Sequence, residues 1–138
     1  MASSGTDSTG QNQSIKVGSP LIYNLPTPAS YGAGAQSYTA ADIVGGIIVH
    51  ASGGAAGNLP TAAAIAAILR GGATPLNIGD TIECLICNGG AGSITLGLAT
   101  GVTNDANGTL VIPTLTSKYC QFRFTGTTPG AETCVLYS

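Results

Sequence analysis

The sequence predicts an all-β domain, an antiparallel sandwich or barrel of about eight short strands, with one short helix and an extended N-terminal arm. Three observations predict it. From Ala41 on, short β-branched or alternating runs recur between clusters of Gly, Asn, Thr and Pro, which is how short strands joined by turns read. One stretch alone, Asn58 to Gly72 (NLPTAAAIAAILRGG), has helical character. Met1 to Ala40 is a separate zone rich in Ser, Thr, Gly, Gln, Asn and Pro.

That zone is expected to be an arm. Ser14–Val17 (SIKV) and Leu21–Leu25 (LIYNL) could each add a short strand, while Pro26–Ser30 and Gly32–Ser37 read as irregular linkers. About thirty extended residues reach on the order of 100 Å, well beyond the width of one domain. The division expected is therefore an arm over 1–40 and a sandwich over 41–138.

Asp42–His50 (DIVGGIIVH) reads as a strand interrupted by a glycine pair, a candidate bulge. The helix follows. Pro60 and Thr61 suit its start, Gly71 its end, and Arg70 the negative end of its dipole. Ala62, Ile65, Ile68 and Leu69 form its apolar stripe, and the back, Ala63, Ala67 and the Arg70 stem, is small rather than polar. A helix without a polar face is covered on more than one side, so these three residues are candidate contacts with another chain or loop. Ten helical residues span only ~15 Å, half of a ~30 Å hydrocarbon core; the segment is expected to plug one end of the sandwich and not to cross a membrane.

In Gly79–Gly90 (GDTIECLICNGG) Ile82, Cys84 and Ile86 share one face, and Glu83, Leu85 and Cys87 the other. Gly92–Thr100 is the next strand. Asn107-Gly108, a favoured tight-turn pair, precedes the strand Thr109–Pro113. Ser117–Gly126 (SKYCQFRFTG) alternates, with Cys120, Phe122 and Phe124 inward and Gln121 and Arg123 outward, and Glu132–Ser138 closes the chain.

Composition narrows the function. Only 7% of the 138 residues are charged and the formal charge is -2, which argues against electrostatic capture of nucleic acid. The N-terminal residues are polar throughout, so no secretory leader is expected. So little charge leaves two readings: Thr, Ser, Asn and Gln hydrate the surface, or much of it is covered by other copies or a larger assembly.

No catalytic constellation emerges. Cys84 and Cys87 have C-x-x-C spacing, with Cys120 and Cys134 making four, but residues three apart on a strand point to opposite faces, and zinc or redox pairs need a turn or a helix start. They read as buried apolar residues, a disulfide Cys84–Cys120 or Cys120–Cys134 staying open. His50 is the only histidine, with Ser52 a weak partner and no G-x-S-x-G elbow. The acids are scattered, and Asn104–Gly108 resembles half a calcium loop without its distal Glu. The expectation is a non-enzyme without metal or cofactor.

The ordered series Tyr38–Leu69 (YTAADIVGGIIVHASGGAAGNLPTAAAIAAIL), Gly79–Thr103 (containing GDTIECLICNGG and ITL), Ser117–Gly126 and Gly130–Ser138 resembles a group of small surface proteins of tailed bacteriophages and related environmental viruses. In that group a G-G-x-I-V strand leads to L-P-T-A-A and a short helix, then to a G-D strand, an I-T-L strand with a G-V-T turn, and paired final strands. The four cysteines depart from the pattern. The resemblance implies a jelly-roll-like sandwich that trimerises on the outer capsid surface as a decoration (cement) protein, with itself and the major capsid protein as partners and with neither nucleic acid nor membrane. The alternative is a head-fibre or tail-tip module binding host glycans. The expected contact residues are Ile15, Val17, Leu21, Ile22, Tyr23, Tyr31 and Tyr38 in the arm and Ala63, Ala67 and Arg70 on the helix.

Overall fold

Short apolar runs divided by glycine-rich corners can build sheets in two ways. Each run can pair with the next through a hairpin, or the chain can cross to an opposite sheet and return beside the earlier run. Only the second makes parallel pairs. The computed structural model, which describes residues 26–71 and 75–138, uses both.

The elements in order are β1 (Ala29–Tyr31), β2 (Gln36–Ser37), α1 (Ala40–Gly45), β3 (Ile47–His50), β4 (Ala56–Asn58), α2 (Ala62–Arg70), β5 (Thr81–Asn88), β6 (Ile94–Gly97), β7 (Val102–Asn104), β8 (Val111–Ile112), β9 (Ser117–Gly126) and β10 (Thr133–Tyr137). They form a six-stranded sheet, β1-β3-β5-β9-β10-β7, and a four-stranded sheet, β2-β4-β6-β8. The expected β-rich domain with two sheets is present, with ten strands and two helices among the described residues where about eight strands and one helix were expected.

The antiparallel expectation is corrected: five of the eight strand pairs are parallel. From β1 to β6 the chain alternates sheets, odd-numbered strands in one and even-numbered strands in the other. Each return lands beside the strand laid down one coil earlier and runs the same way. Antiparallel pairing enters with β8, which pairs with β6, and continues with β9, which lies between β5 and β10.

The three corners that lead from an odd-numbered strand to the next even-numbered one, β1–β2, β3–β4 and β5–β6, are stacked. Tyr31–Gln36, His50–Ala56 and Asn88–Ile94 are related glycine-rich stretches (YGAGAQ, HASGGAA, NGGAGSI). The N–H of Ala51 donates to the Tyr31 carbonyl, that of Gly89 to His50, that of Gly92 to Ser52 and that of Thr95 to Ala55. The approach is close enough to demand glycine. A Cβ on Gly90 would meet the Ser52 carbonyl oxygen at 2.0 Å, and one on Gly92 the Gly54 nitrogen at 2.2 Å.

The strand expected over Asp42–His50 is instead a helix followed by a strand. The Thr39 hydroxyl accepts from the Asp42 N–H at 3.2 Å, and the Asp42 carboxylate accepts from the Thr39 N–H at 2.7 Å. This reciprocal capping box starts α1. Gly46, at φ 88°, ends it, a left-handed position that suits glycine, and β3 begins at Ile47. In α2 the Thr61 hydroxyl caps the Ala64 N–H at 3.1 Å, and the buried face is Ala62, Ile65 and Ala66. Ile68, expected on that stripe, is 45% exposed.

One core joins both sheets and both helices. Ile43, Ile48, Ile65, Ile86, Ile94, Ile112, Phe122, Phe124 and Leu136 have no exposure. Each such side chain contributes about 1.5–3 kcal/mol by leaving water. The alternation expected for Ser117–Gly126 holds: Cys120, Phe122 and Phe124 are inside and Arg123 is outside.

Of the segment expected to be an arm, Ala29–Tyr31 pairs with β3 and Gln36–Ser37 with β4. These residues belong to the sheets. Residues 1–25 of that segment lie outside the described residues.

Candidate interaction surface

A strand alternates its side chains between two faces. With Ile48, Ile86, Cys84, Phe122, Cys134 and Leu136 turned into the core, the odd-numbered neighbours must face outward. On most sandwiches those positions are polar. Here the outward row across three strands is Ile47, Leu85 and Tyr119, which are paired in register. The next row is Val49 and Cys87, also paired, ending at Ser117. Val135 and Tyr137 continue the apolar character on β10, opposite Arg123 and Gln121. Tyr119 is 58% exposed, Tyr137 39% and Val49 36%.

Charge on this face is scarce. Glu83 and Arg123 are the charged residues at its outward positions. The Glu83 carboxylate accepts the Tyr119 hydroxyl at 2.6 Å and the Gln121 amide at 3.1 Å. Those bonds hold the Tyr119 hydroxyl protonated, its pKa raised above the usual value chiefly by the hydrogen bond to Glu83. The carboxylate stiffens two long side chains instead of repelling an apolar partner.

Most polar groups inside are occupied with holding the fold, while Asn104 Oδ1 and Glu132 Oε2 are buried without a hydrogen-bond partner among the described residues. Tyr38 donates its hydroxyl to His50 Nδ1 at 2.8 Å, and His50 Nε2 lies 3.0 Å from the Gly34 carbonyl. A carbonyl can only accept, so Nε2 donates to it and Nδ1 accepts the tyrosine hydrogen bond. Burial, foremost, pushes the Tyr38 hydroxyl well above its ordinary pKa. Tyr31 donates to Asp42 at 2.5 Å and packs its ring 5.3 Å from that of Tyr38. Asn88 donates to the Gly92, Ile112 and Pro113 carbonyls and accepts from the Gly90 N–H. Tyr38, expected as a contact residue, is therefore spent inside the domain at 3% exposure, and Tyr31 is half-buried beside it.

On α2, Ala67 is exposed, Ala63 half-buried, and the Arg70 guanidinium donates to the Glu132 carboxylate and the Thr127 carbonyl. Burial would raise the Glu132 pKa; backbone donors and the Arg70 guanidinium outweigh it and hold the carboxyl below the usual range. Arg70 thus clamps the helix to the β9–β10 turn. A hollow of about 630 Å³ opens beside it, lined by Thr61, Ala63, Thr100, Gly130 and Glu132.

All four cysteines are free thiols. Cys84 and Cys120 face each other across β5 and β9, yet the register disfavours a bond. The Asn88 N–H donates to Thr116 and the Phe124 N–H to Asp80. Hydrogen-bonded pairs alternate along an antiparallel ladder, so Cys84–Cys120, midway between those two, is such a pair. Its Cβ atoms stand roughly 5.5 Å apart, against the ~3.8 Å a disulfide requires. Burial pushes Cys84 up to about 12 and Cys120 and Cys134 up to about 11, so these thiols stay protonated. Among the described residues no three His, Cys, Asp or Glu side chains gather as a metal site.

Ile15, Val17, Leu21, Ile22 and Tyr23 lie outside the described residues. The sequence signal of the outward face as a unit is Leu85 and Cys87 interleaved with Cys84 and Ile86, a strand apolar on both faces. No protein-family model, curated protein or solved structure matches the chain.

Proposed function

We propose that the protein is a structural component of a virus particle, a capsid decoration (cement) protein that binds the outer shell as a homotrimer and stabilises it. The jelly-roll-like kinship and an arm reaching the major capsid protein belong to this reading. The observation that carries it is the outward face of the six-stranded sheet, where Ile47, Val49, Leu85, Cys87, Tyr119 and Tyr137 stand in a surface with almost no free charge. Such a face is unfavourable in water and is depleted of charge as interface cores are. Copies joined through it would present several arms at once, and multivalent attachment across capsomers gives strong binding from weak individual contacts.

The test is co-sedimentation with shells of the encoding virus, using the full chain and a chain lacking residues 1–14. The full chain is expected to pellet and to raise the temperature at which shells open, and the shortened chain to stay in solution as an oligomer. A full chain that ignores shells yet is retained on host glycans would replace cementing by recognition.

A further inference from the structure

The outward apolar face needs an occupant, and its size limits the choice. Four strands at ~4.8 Å spacing and rows repeating every two residues make a patch about 20 Å on a side, roughly 400 Å². A stable pairing of two rigid surfaces needs about 800 Å² from each partner. Two such faces pressed together fall short; a face that also receives a chain segment does not.

A segment of suitable pattern lies immediately upstream of the described residues. Apolar residues fall at the odd positions Ile15, Val17, Leu21, Tyr23 and Leu25, with Ile22 alone at an even one. Eleven extended residues reach about 36 Å, enough to cross every strand of the patch. The chain joins the domain next to it: Pro26 lies against Gly45, where an added Cβ would be 3.4 Å from the proline ring, two residues before Ile47.

The direction of approach decides whose segment it is. β1 runs parallel to β3, so the chain upstream of Ala29 leaves the sheet at the Gly45 end. Pro26, Thr27 and Pro28 are all exposed. Pro26 and Pro28 fix their own φ and Pro28 favours an extended Thr27, and residues 26–28 make no turn that would send the chain back onto its own sheet. We infer that the outward face of the six-stranded sheet (Ile47, Val49, Leu85, Cys87, Tyr119) is the docking surface for residues Ile15–Leu25 of a second copy of this chain. Exchange of identical segments is a low-cost route to oligomers. The inference deepens the homotrimer part of the proposed function and leaves residues 1–14 for a shell.

Cys87 supplies a native probe, because it is the outward cysteine of the patch while Cys84, Cys120 and Cys134 are buried. The experiment is maleimide labelling of the full chain across a dilution series, with mass photometry at each concentration. Wild type is expected to label at Cys87 at least tenfold more slowly as an oligomer than as a monomer. Tyr23→Asp and Leu21→Asp are expected to label fast at every concentration, and Ile22→Asp to behave as wild type. Rapid labelling of the wild-type oligomer would overturn the inference, as would protection that persists in the monomer, the sign of a chain covering its own face. Protection that survives in both odd-position variants would overturn it too. Because no shell is present, failure here leaves the sedimentation result to judge the cement reading separately.

Discussion

The two halves of the chain solve the same problem differently. From β5 onward the long strands β5, β9 and β10 pair antiparallel, and their stability comes from side chains: Phe122, Phe124, Ile86 and Leu136, all fully buried. From β1 to β4 no strand exceeds four residues. There the fold depends on backbone contact between stacked corners and on buried polar groups, Tyr38, His50 and Ser52. Short strands cannot bury enough apolar surface individually, so the corners must touch, and touching corners must be glycine. Apolar bulk specifies one half and the absence of a side chain specifies the other.

Substitutions should separate the halves. The largest loss is expected for Phe122→Ala, which opens a cavity in the antiparallel half and should cost about 3–5 kcal/mol in urea unfolding. Gly92→Ala adds a single carbon where the β5–β6 corner stacks on the wound half, 2.2 Å from the Gly54 backbone nitrogen. With no rotamer to escape into, it should cost about 3 kcal/mol. Gly89→Ala, three residues earlier and with nothing within 4 Å, should stay within about 0.5 kcal/mol. Equal effects at the two glycines would remove the stacked-corner explanation.

Smaller effects test the polar groups. Tyr38→Phe leaves His50 Nδ1 without its donor and should cost about 1–3 kcal/mol. Asp42→Asn weakens the α1 capping box and should cost about 1 kcal/mol. It also carries a pH signature. Burial alone would raise the Asp42 pKa, but the Tyr31 hydroxyl and Thr39 outweigh it and set it below 3.8. A carboxyl depressed in the folded state stabilises above its unfolded pKa, and that contribution fades as pH falls through the folded value. Thermal melts should therefore show wild type losing its advantage over Asp42→Asn below pH 3.8.

The same contrast explains what could be read in advance. The faces of β5 and β9 follow from alternation at Ile82–Ile86 and Cys120–Phe124, and α2 from Thr61 and Arg70. The parallel winding was hidden because a glycine-rich corner looks alike whether the next strand turns back or crosses over. Its trace was the recurrence of YGAGAQ, HASGGAA and NGGAGSI, legible as a repeat only once the corners are seen stacked. Helix α1 was hidden by β-branched Ile43 and Val44, although Thr39 and Asp42 already had capping-box spacing. Of the interaction surface, the residues were visible and their assembly was not, since register across β3, β5 and β9 places Ile47, Leu85 and Tyr119 together from three distant segments.

Electron cryo-microscopy of shells incubated with the full chain tests the central claim most directly. The prediction is threefold density on the outer shell, with the Ile47–Leu85–Tyr119 face of each copy covered by a neighbouring chain. Bare shells, or bound copies with that face open to solvent, would contradict it.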